Sequence, residues 1–184
     1  MNILGLFQRL GRALQLPIAV LPVAALLLRF GQPDLLNVAF IAQAGGAIFD
    51  NLALIFAIGV ASSWSKDSAG AAALAGAVGY FVLTKAMVTI NPEINMGVLA
   101  GIITGLVGGA AYNRWSDIKL PDFLSFFGGK RFVPIATGFF CLVLAAIFGY
   151  VWPPVQHAIH AGGEWIVSAG ALGSGILGII NRLL

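Results

Sequence analysis

Charge is what this sequence has least of. Charged side chains make up 9% of its 184 residues and apolar ones 59%, whereas about a quarter of the residues in a soluble domain are charged. The mean hydropathy is correspondingly high, at +0.95. This composition excludes an ordinary soluble domain and predicts an integral membrane protein embedded in a lipid bilayer.

Cysteine and histidine are almost as scarce. The single cysteine, Cys141, excludes an internal disulfide and a cysteine metal cluster. His157 and His160 would share a helical face, but two ligands without a third do not make a zinc site. The sequence also lacks the glycine-rich, P-loop, HExxH and GxSxG motifs of soluble enzymes. We therefore expect no cofactor, no metal and no catalytic residue in this chain.

What the sequence does contain is a series of long apolar runs around one polar segment. Residues 94–113 and 132–163 carry no charge and flank the polar stretch 113–134, and a helix needs roughly 20 apolar residues to cross a bilayer. The pattern predicts an all-α polytopic protein with an N-terminal amphipathic helix and six transmembrane helices. The amphipathic helix covers 1–12, and the predicted spans cover 13–30, 44–63, 69–90, 97–112, 132–152 and a sixth from 165 onward.

Two boundaries of this prediction depend on particular residues. Pro153 and Pro154 are expected to end the fifth helix and to begin an outside connector, because proline interrupts the helical hydrogen bonds. The basic start and first apolar run also resemble a cleavable signal peptide. Since the apolar run continues past the possible cleavage site and leads into further spans, we favour a retained first span.

The cations predict the orientation. Cytoplasmic loops of membrane proteins carry an excess of lysine and arginine, and with six spans and a cytoplasmic N-terminus eight of the ten cations fall on that side. This distribution accounts for the net charge of +3. A nucleic-acid-binding protein would need a basic face, so the positive charge does not predict nucleic-acid binding. The eight are Arg9, Arg12, Lys66, Arg114, Lys119, Lys130, Arg131 and Arg182.

Asp50 and Lys85 are charges inside predicted spans. A carboxylate at the bilayer centre costs roughly 2.5–3.5 kcal/mol on insertion scales, so Asp50 is expected to face protein or water. Lys85 can extend its ammonium to the outer surface. Alternatively, the two residues form an intramembrane polar pair, because both lie in the outer halves of their spans.

Glycine recurs every fourth residue in the fourth predicted span. Gly97, Gly101, Gly105 and Gly109 would form a groove down one face of that helix, which favours close helix packing, either within the subunit or across a dimer.

Four separated motifs carry a resemblance to a known family. They are LPIAVLPVAALLLRFG, GGAIFDNLALIFAIGVA, KLPDFLSFFGGKRFVPI and WPPVQHAI. Together they resemble the sugar permease, or enzyme IIC, of the glucose superfamily of the bacterial phosphotransferase system, and most closely its N-acetylglucosamine-specific members. Ala53 stands where glucose-specific members usually have proline, which disfavours glucose as the substrate.

The resemblance implies a division of labour. Family members are homodimers of the bacterial inner membrane, joined through N-terminal helices, and a C-terminal domain carries the sugar by rigid-body movement. A cytoplasmic B domain, charged through an A domain and HPr, phosphorylates the sugar. Residues 13–152 would then be the five-span dimerisation half, and 153–184 an outside connector and a truncated next helix, with the sugar-contacting residues beyond Leu184. The resemblance also suggests that Lys130, in GGKRFVP, couples uptake to phosphorylation.

Two alternatives remain open at this stage. The chain could be a self-contained six-span scaffold or docking module without transport activity, or part of a permease for glucose or a related hexose. The complete system would be a protein-phosphohistidine:sugar phosphotransferase, whereas no enzymatic activity is expected of these 184 residues alone.

Overall fold

The computed structural model describes residues 3–168 of the chain. Every regular element in this part is helical, so the predicted all-α class is confirmed. Two short 3-10 helices, Asp122–Phe127 and Gly129–Arg131, precede the last α-helix. The α-helices are α1 Ile3–Ile18, α2 Leu21–Phe30, α3 Ala39–Asp50, α4 Leu52–Trp64, α5 Gly70–Ile90, α6 Val98–Trp115 and α7 Phe132–Ser168.

The N-terminal helices divide at a different place from the predicted one. The expected boundary between residues 12 and 13 lies inside α1, and the chain breaks instead at Ala19 and Val20, between α1 and α2. Pro22 lies in the first turn of α2, where the missing backbone N–H needs no helical partner. Residues Leu4–Phe30 together are long and apolar enough to cross a bilayer.

The second predicted span is bent and not straight. It consists of α3 and α4, whose axes differ by 57° at Asn51. The Asn51 side chain donates from Nδ2 to the carbonyl of Ala47 at 2.9 Å. An asparagine side chain that bonds to nearby backbone in this way competes with helix continuation, so the residue predicted to lie within one span instead separates two helices.

Helices α4 to α7 form the packed centre of the molecule. Helix α5 packs against α6 and α7, while α4 packs against α6 and α1 packs against α4. The largest buried side chain is Tyr112 of α6, which is fully inaccessible to solvent. The main core lies between α5, α6 and α7 and includes Leu83, Met87, Ala100, Cys141 and Ala145.

Three of the four predicted packing glycines lie at the contact between α6 and α4. A Cβ atom at Gly101 would overlap the backbone carbonyl of Ala53, and one at Gly105 would lie 2.7 Å from Cβ of Val60. Gly109 meets Trp64 at a similar distance. The close approach is therefore made within one protomer. Gly97 lies before the helix as its N-cap, with a φ of 51°, so it has a conformational role instead of a packing one.

The expectation that Pro153 and Pro154 end a helix is wrong. Helix α7 runs without a break from Phe132 to Ser168 and includes both prolines, so the connector predicted at 153–164 is helical. Each proline removes one backbone donor, a loss that membrane helices tolerate where neighbours satisfy the freed carbonyls.

The predicted number of spans is not confirmed. In the part that the structure describes, three helical stretches are long and apolar enough to cross a bilayer, or four if the bent pair α3–α4 is one span. The stretches are Leu4–Phe30, Gly70–Ile90 and Gly129–Glu164. The predicted fourth span, now α6, is not among them, and most of the predicted sixth lies outside the described residues.

Candidate functional site

Polar side chains gather at one end of the α4–α7 bundle. Helices α4 and α6 end there and α5 and α7 begin there, so the α4–α5 turn and the segment before α7 lie side by side. We call this region the charged end. It is defined by Lys66, Asp67, Asn113, Asp117 and Lys130.

Asn113 fastens the α4–α5 turn to α6. Its Oδ1 accepts a hydrogen bond from the backbone N–H of Lys66 at 2.7 Å, and its Nδ2 donates to the carbonyl of Trp64 at 2.9 Å. The same carbonyl accepts a bond from Nη2 of Arg9, and the Arg9 guanidinium lies 4.3 Å from the centre of a Trp64 ring. One amide thus bonds to the carbonyl of Trp64, which the end of α4 would leave without a helical partner. The same amide bonds to the N–H of Lys66 in the turn that follows.

An ion pair adds a second link across the charged end. The Nζ atom of Lys66 lies 2.8 Å from Oδ2 of Asp117, which also accepts a bond from Ser116 Oγ at 3.1 Å. The hydrogen bond from Lys66 and the one from Ser116 lower the pKa of Asp117. Asp117 in turn raises the pKa of Lys66. Because both side chains are well exposed, the pair contributes little to stability.

The backbone before α7 returns Lys130 to this cluster. Gly129 has a φ of 64°, which favours glycine, and its N–H donates to the carbonyl of Ile118 at 2.9 Å. The next residue, Lys130, then places Nζ 3.8 Å from Oδ2 of Asp67. That oxygen also accepts a hydrogen bond from the buried Tyr112 hydroxyl at 2.8 Å.

The arrangement presents a cation that is held loosely. The Lys130 side chain is 60% exposed, and its Nζ lies 5.8 Å from the centre of the Tyr112 ring. Since one Asp67 oxygen serves both partners, an incoming anion could take Lys130 while Tyr112 kept Asp67 in place. The residues described form no cluster of three or more potential metal ligands. The side chains of the charged end form ion pairs and hydrogen bonds.

Comparison with known proteins identifies the family. Residues 11–184 match the family described as phosphotransferase system, EIIC. The chain belongs to the EIIC family. This result confirms the resemblance carried by the four sequence motifs.

Relatives of this EIIC chain have longer sequences. It is 98% identical over its whole length to the N-acetylglucosamine-specific EIICBA component of Escherichia coli and 93% identical to that of Klebsiella pneumoniae, and it spans 28% of each. It is 51% identical over 98% of its length to the N-acetylglucosamine-specific EIICB component of Bacillus subtilis, of which it spans 40%.

The EIIC structure does not bring together the two charges that were predicted to lie inside the membrane. The ion pairs among the described residues are Arg29–Asp34, Lys66–Asp117 and Lys130–Asp67, so Asp50 and Lys85 do not pair within this chain. Both residues are exposed on the protomer. Asp50 is the last residue of α3, next to the bend, instead of lying inside a straight span.

Sequence reasoning singled out Lys130 but missed the residues around it. Asp67 lay between two predicted spans, Tyr112 at the end of the fourth span and Asn113 at the start of the polar segment, and none of them was given a role. The available signal was that two loops, each with charges of both signs, were predicted on the same side of the bilayer, which permits pairing between them. It did not indicate which residues would pair.

At the other end of the bundle the side chain of Gln156 connects α7 to the α5–α6 loop. We call this region the Gln156 end. Gln156 Oε1 accepts hydrogen bonds from the backbone N–H of Asn95 at 3.0 Å and from Trp152 Nε1 at 3.1 Å. Its Nε2 donates to the carbonyl of Glu93 at 2.9 Å. These bonds tie α7, just beyond its two prolines, to the α5–α6 loop.

Proposed function

We propose that this chain is the membrane-embedded N-terminal part of a permease that imports N-acetylglucosamine and couples import to phosphorylation of the sugar. The observation that carries the proposal is the 98% identity, over all 184 residues, to the E. coli N-acetylglucosamine-specific component. A substrate difference between two such chains would have to arise from very few substitutions here or from the remaining part of the protein.

The proposed partners follow from the same relatives. EIICBA proteins are named for joined C, B and A components, so a B and an A phosphotransfer domain would act on this permease, with HPr as the phosphate donor to A. The sugar contacts would lie in the remainder of the permease. We further propose a homodimer joined through the N-terminal helices.

The charges support a location in the inner membrane with the charged end in the cytoplasm. Arg9 reaches Trp64 at this end, and Lys66 and Lys130 also lie there. Cytoplasmic loops are rich in such residues. In this orientation the N-terminus is cytoplasmic, and Lys130 faces the compartment where the phosphotransfer domains would act.

Uptake by the complete protein tests the substrate. Cells without their own N-acetylglucosamine uptake should accumulate the labelled sugar as its phosphate when they express the complete gene. Unlabelled N-acetylglucosamine should compete with the label more strongly than glucosamine or glucose. Stronger competition by glucose, or normal expression without uptake, would contradict the proposal.

We propose that Lys130 acts in the coupling step, by exchanging Asp67 for an anionic group of the phosphotransfer machinery. Lys130→Gln should raise the ratio of free to phosphorylated sugar inside cells about fivefold, because an exposed charge contact contributes roughly 1 kcal/mol. Lys119→Gln, which removes an exposed cation from the same segment, is the matched control, and Lys130→Arg should restore coupling. Equal loss of uptake and phosphorylation in Lys130→Gln would indicate a purely structural role.

A further inference from the structure

An open apolar groove runs between α6 and α7. It consists of two adjoining cavities of about 420 and 300 Å³ that share Trp115 and Phe140. The rings of these two residues stack in parallel, with their centres 5.3 Å apart. The groove extends from Val107 to Ile118 on the α6 side, and its helical part, which ends at Trp115, is about 12 Å long at the helical rise. Its other wall includes Phe139, which is 64% exposed.

A single cation lines this groove. Arg114 belongs to the last turn of α6 and lines the smaller cavity. It is exposed and, among the residues that the structure describes, it has no ion-pair partner. Its neighbours differ, because Lys66 pairs with Asp117 and Arg131 donates to the carbonyl of Phe126. The charge of Arg114 is therefore available to a ligand.

The lining favours a hydrocarbon chain over a polypeptide. Of the residues that line the two cavities, only Arg114 and Trp115 carry polar side-chain atoms. A polypeptide laid in the groove would need partners for its backbone N–H and C=O groups unless it were helical, whereas an acyl chain needs none. An apolar groove lined by one cation matches a molecule with a long apolar chain and one negative head group.

We propose that the groove between α6 and α7 binds a phospholipid of net negative charge, with an acyl chain along Trp115 and Phe140 and the phosphate on Arg114. The site shares no lining residue with the charged end, and it does not depend on the proposed transport function. Arginine suits this role because its planar guanidinium donates two parallel hydrogen bonds to a phosphate.

Native mass spectrometry of the complete protein with added lipid tests the proposal. Phosphatidylglycerol should bind more tightly than a diacylglycerol with the same acyl chains, which lacks the phosphate. Arg114→Gln should weaken phosphatidylglycerol binding about fivefold, since one cation near a lipid surface contributes roughly 1 kcal/mol, and should leave diacylglycerol binding unchanged. Lys119→Gln, which changes an exposed cation that does not line the groove, is the matched control and should retain wild-type binding.

A second variant tests the apolar part of the site without changing its charge. Ala110 is exposed and lines the groove, so Ala110→Trp should fill it and weaken both lipids. Equal binding of the two lipids by the wild type, or unchanged binding by Arg114→Gln, would overturn the proposal. So would a photo-crosslinker at position 110 that reacts with polypeptide and not with lipid in the membrane, because protein would then cover the groove.

Discussion

The two ends of the α4–α7 bundle differ in whether ion pairs help to hold them together. At the charged end, Lys66 pairs with Asp117 and Lys130 with Asp67. At the other end the uncharged side chain of Gln156 makes three hydrogen bonds, two of them to the backbone of the α5–α6 loop. At each end an amide side chain bonds to the backbone of a loop. At the charged end ion pairs connect the neighbouring segments as well.

The presence of ion pairs at one end indicates where a partner could act. Exposed ion pairs contribute little to stability, so the charged end can exchange partners at small cost. One amide side chain bonds to loop backbone at each end, Asn113 at the charged end and Gln156 at the other, so both loops stay fixed when an ion pair is exchanged. The charged end is accordingly where a partner could act, and the Gln156 end is where α7 is fixed to the bundle.

The largest effect should come from a change that disturbs both ends at once. Helix α6 connects them, and a side chain at Gly101 would overlap the backbone of Ala53. Overpacking a tight contact typically costs 1–3 kcal/mol, roughly, and more where backbone must move. Gly101→Val should therefore sharply reduce the amount of folded protein in membranes. Gly46→Val, at a helical position with open space around it, should accumulate normally, and equal accumulation of both variants would contradict this packing.

A smaller effect is expected from opening the Gln156 end alone. Gln156→Leu removes the side-chain partner of the Asn95 N–H and of the Glu93 carbonyl. Because both hydrogen bonds are exposed and water can replace them, the loss should cost roughly 1 kcal/mol. The buried thiol of Cys141 is a local reporter, since its alkylation on heating follows the opening of this bundle. Its midpoint should fall by about 3 °C in a unit of this size. His160→Leu changes an exposed residue of the same helix and should leave the midpoint unchanged.

The smallest effect should come from the charged end. The lowered pKa of Asp117 means that its ion pair stabilises the fold above the ordinary carboxyl pKa of 3.8. That contribution is lost as the pH falls through the lowered pKa. Asp117→Asn should therefore be slightly less stable than the wild type at pH 6, and the difference should shrink as the pH is lowered below 3.8. Salt should reduce the difference at pH 6, because exposed charges are screened. A difference that grew on acidification would contradict the assignment.

Sequence periodicity and composition predicted the helical class and most helix positions, because apolar length and glycine spacing are local properties. The breaks were harder to predict. Pro153 and Pro154 were expected to stop α7, yet the helix continues to Ser168. Asn51, which is a weaker helix breaker than proline, lies between α3 and α4 at a bend of 57°. At Asn51 the break accompanies a local bond from the side chain to the carbonyl of Ala47, which spacing and composition alone did not predict.

The site was only partly predictable for the same reason. Lys130 was identified from a motif, but its partners Asp67 and Tyr112 lie far from it in sequence. The Asp50–Lys85 prediction assumed two straight spans side by side. The bend after Asp50 removes that assumption, and neither residue pairs within the described chain.

The most direct test of this account is the side of the membrane on which the charged end lies. Single cysteines at Lys119, in the segment before α7, and at Glu93, in the loop at the Gln156 end, would each replace an exposed residue. A membrane-impermeant maleimide should label Lys119→Cys only in inside-out vesicles and Glu93→Cys only in intact cells. The reverse pattern would place Lys130 outside the cell, where no phosphotransfer domain could reach it, and would contradict the proposed coupling role.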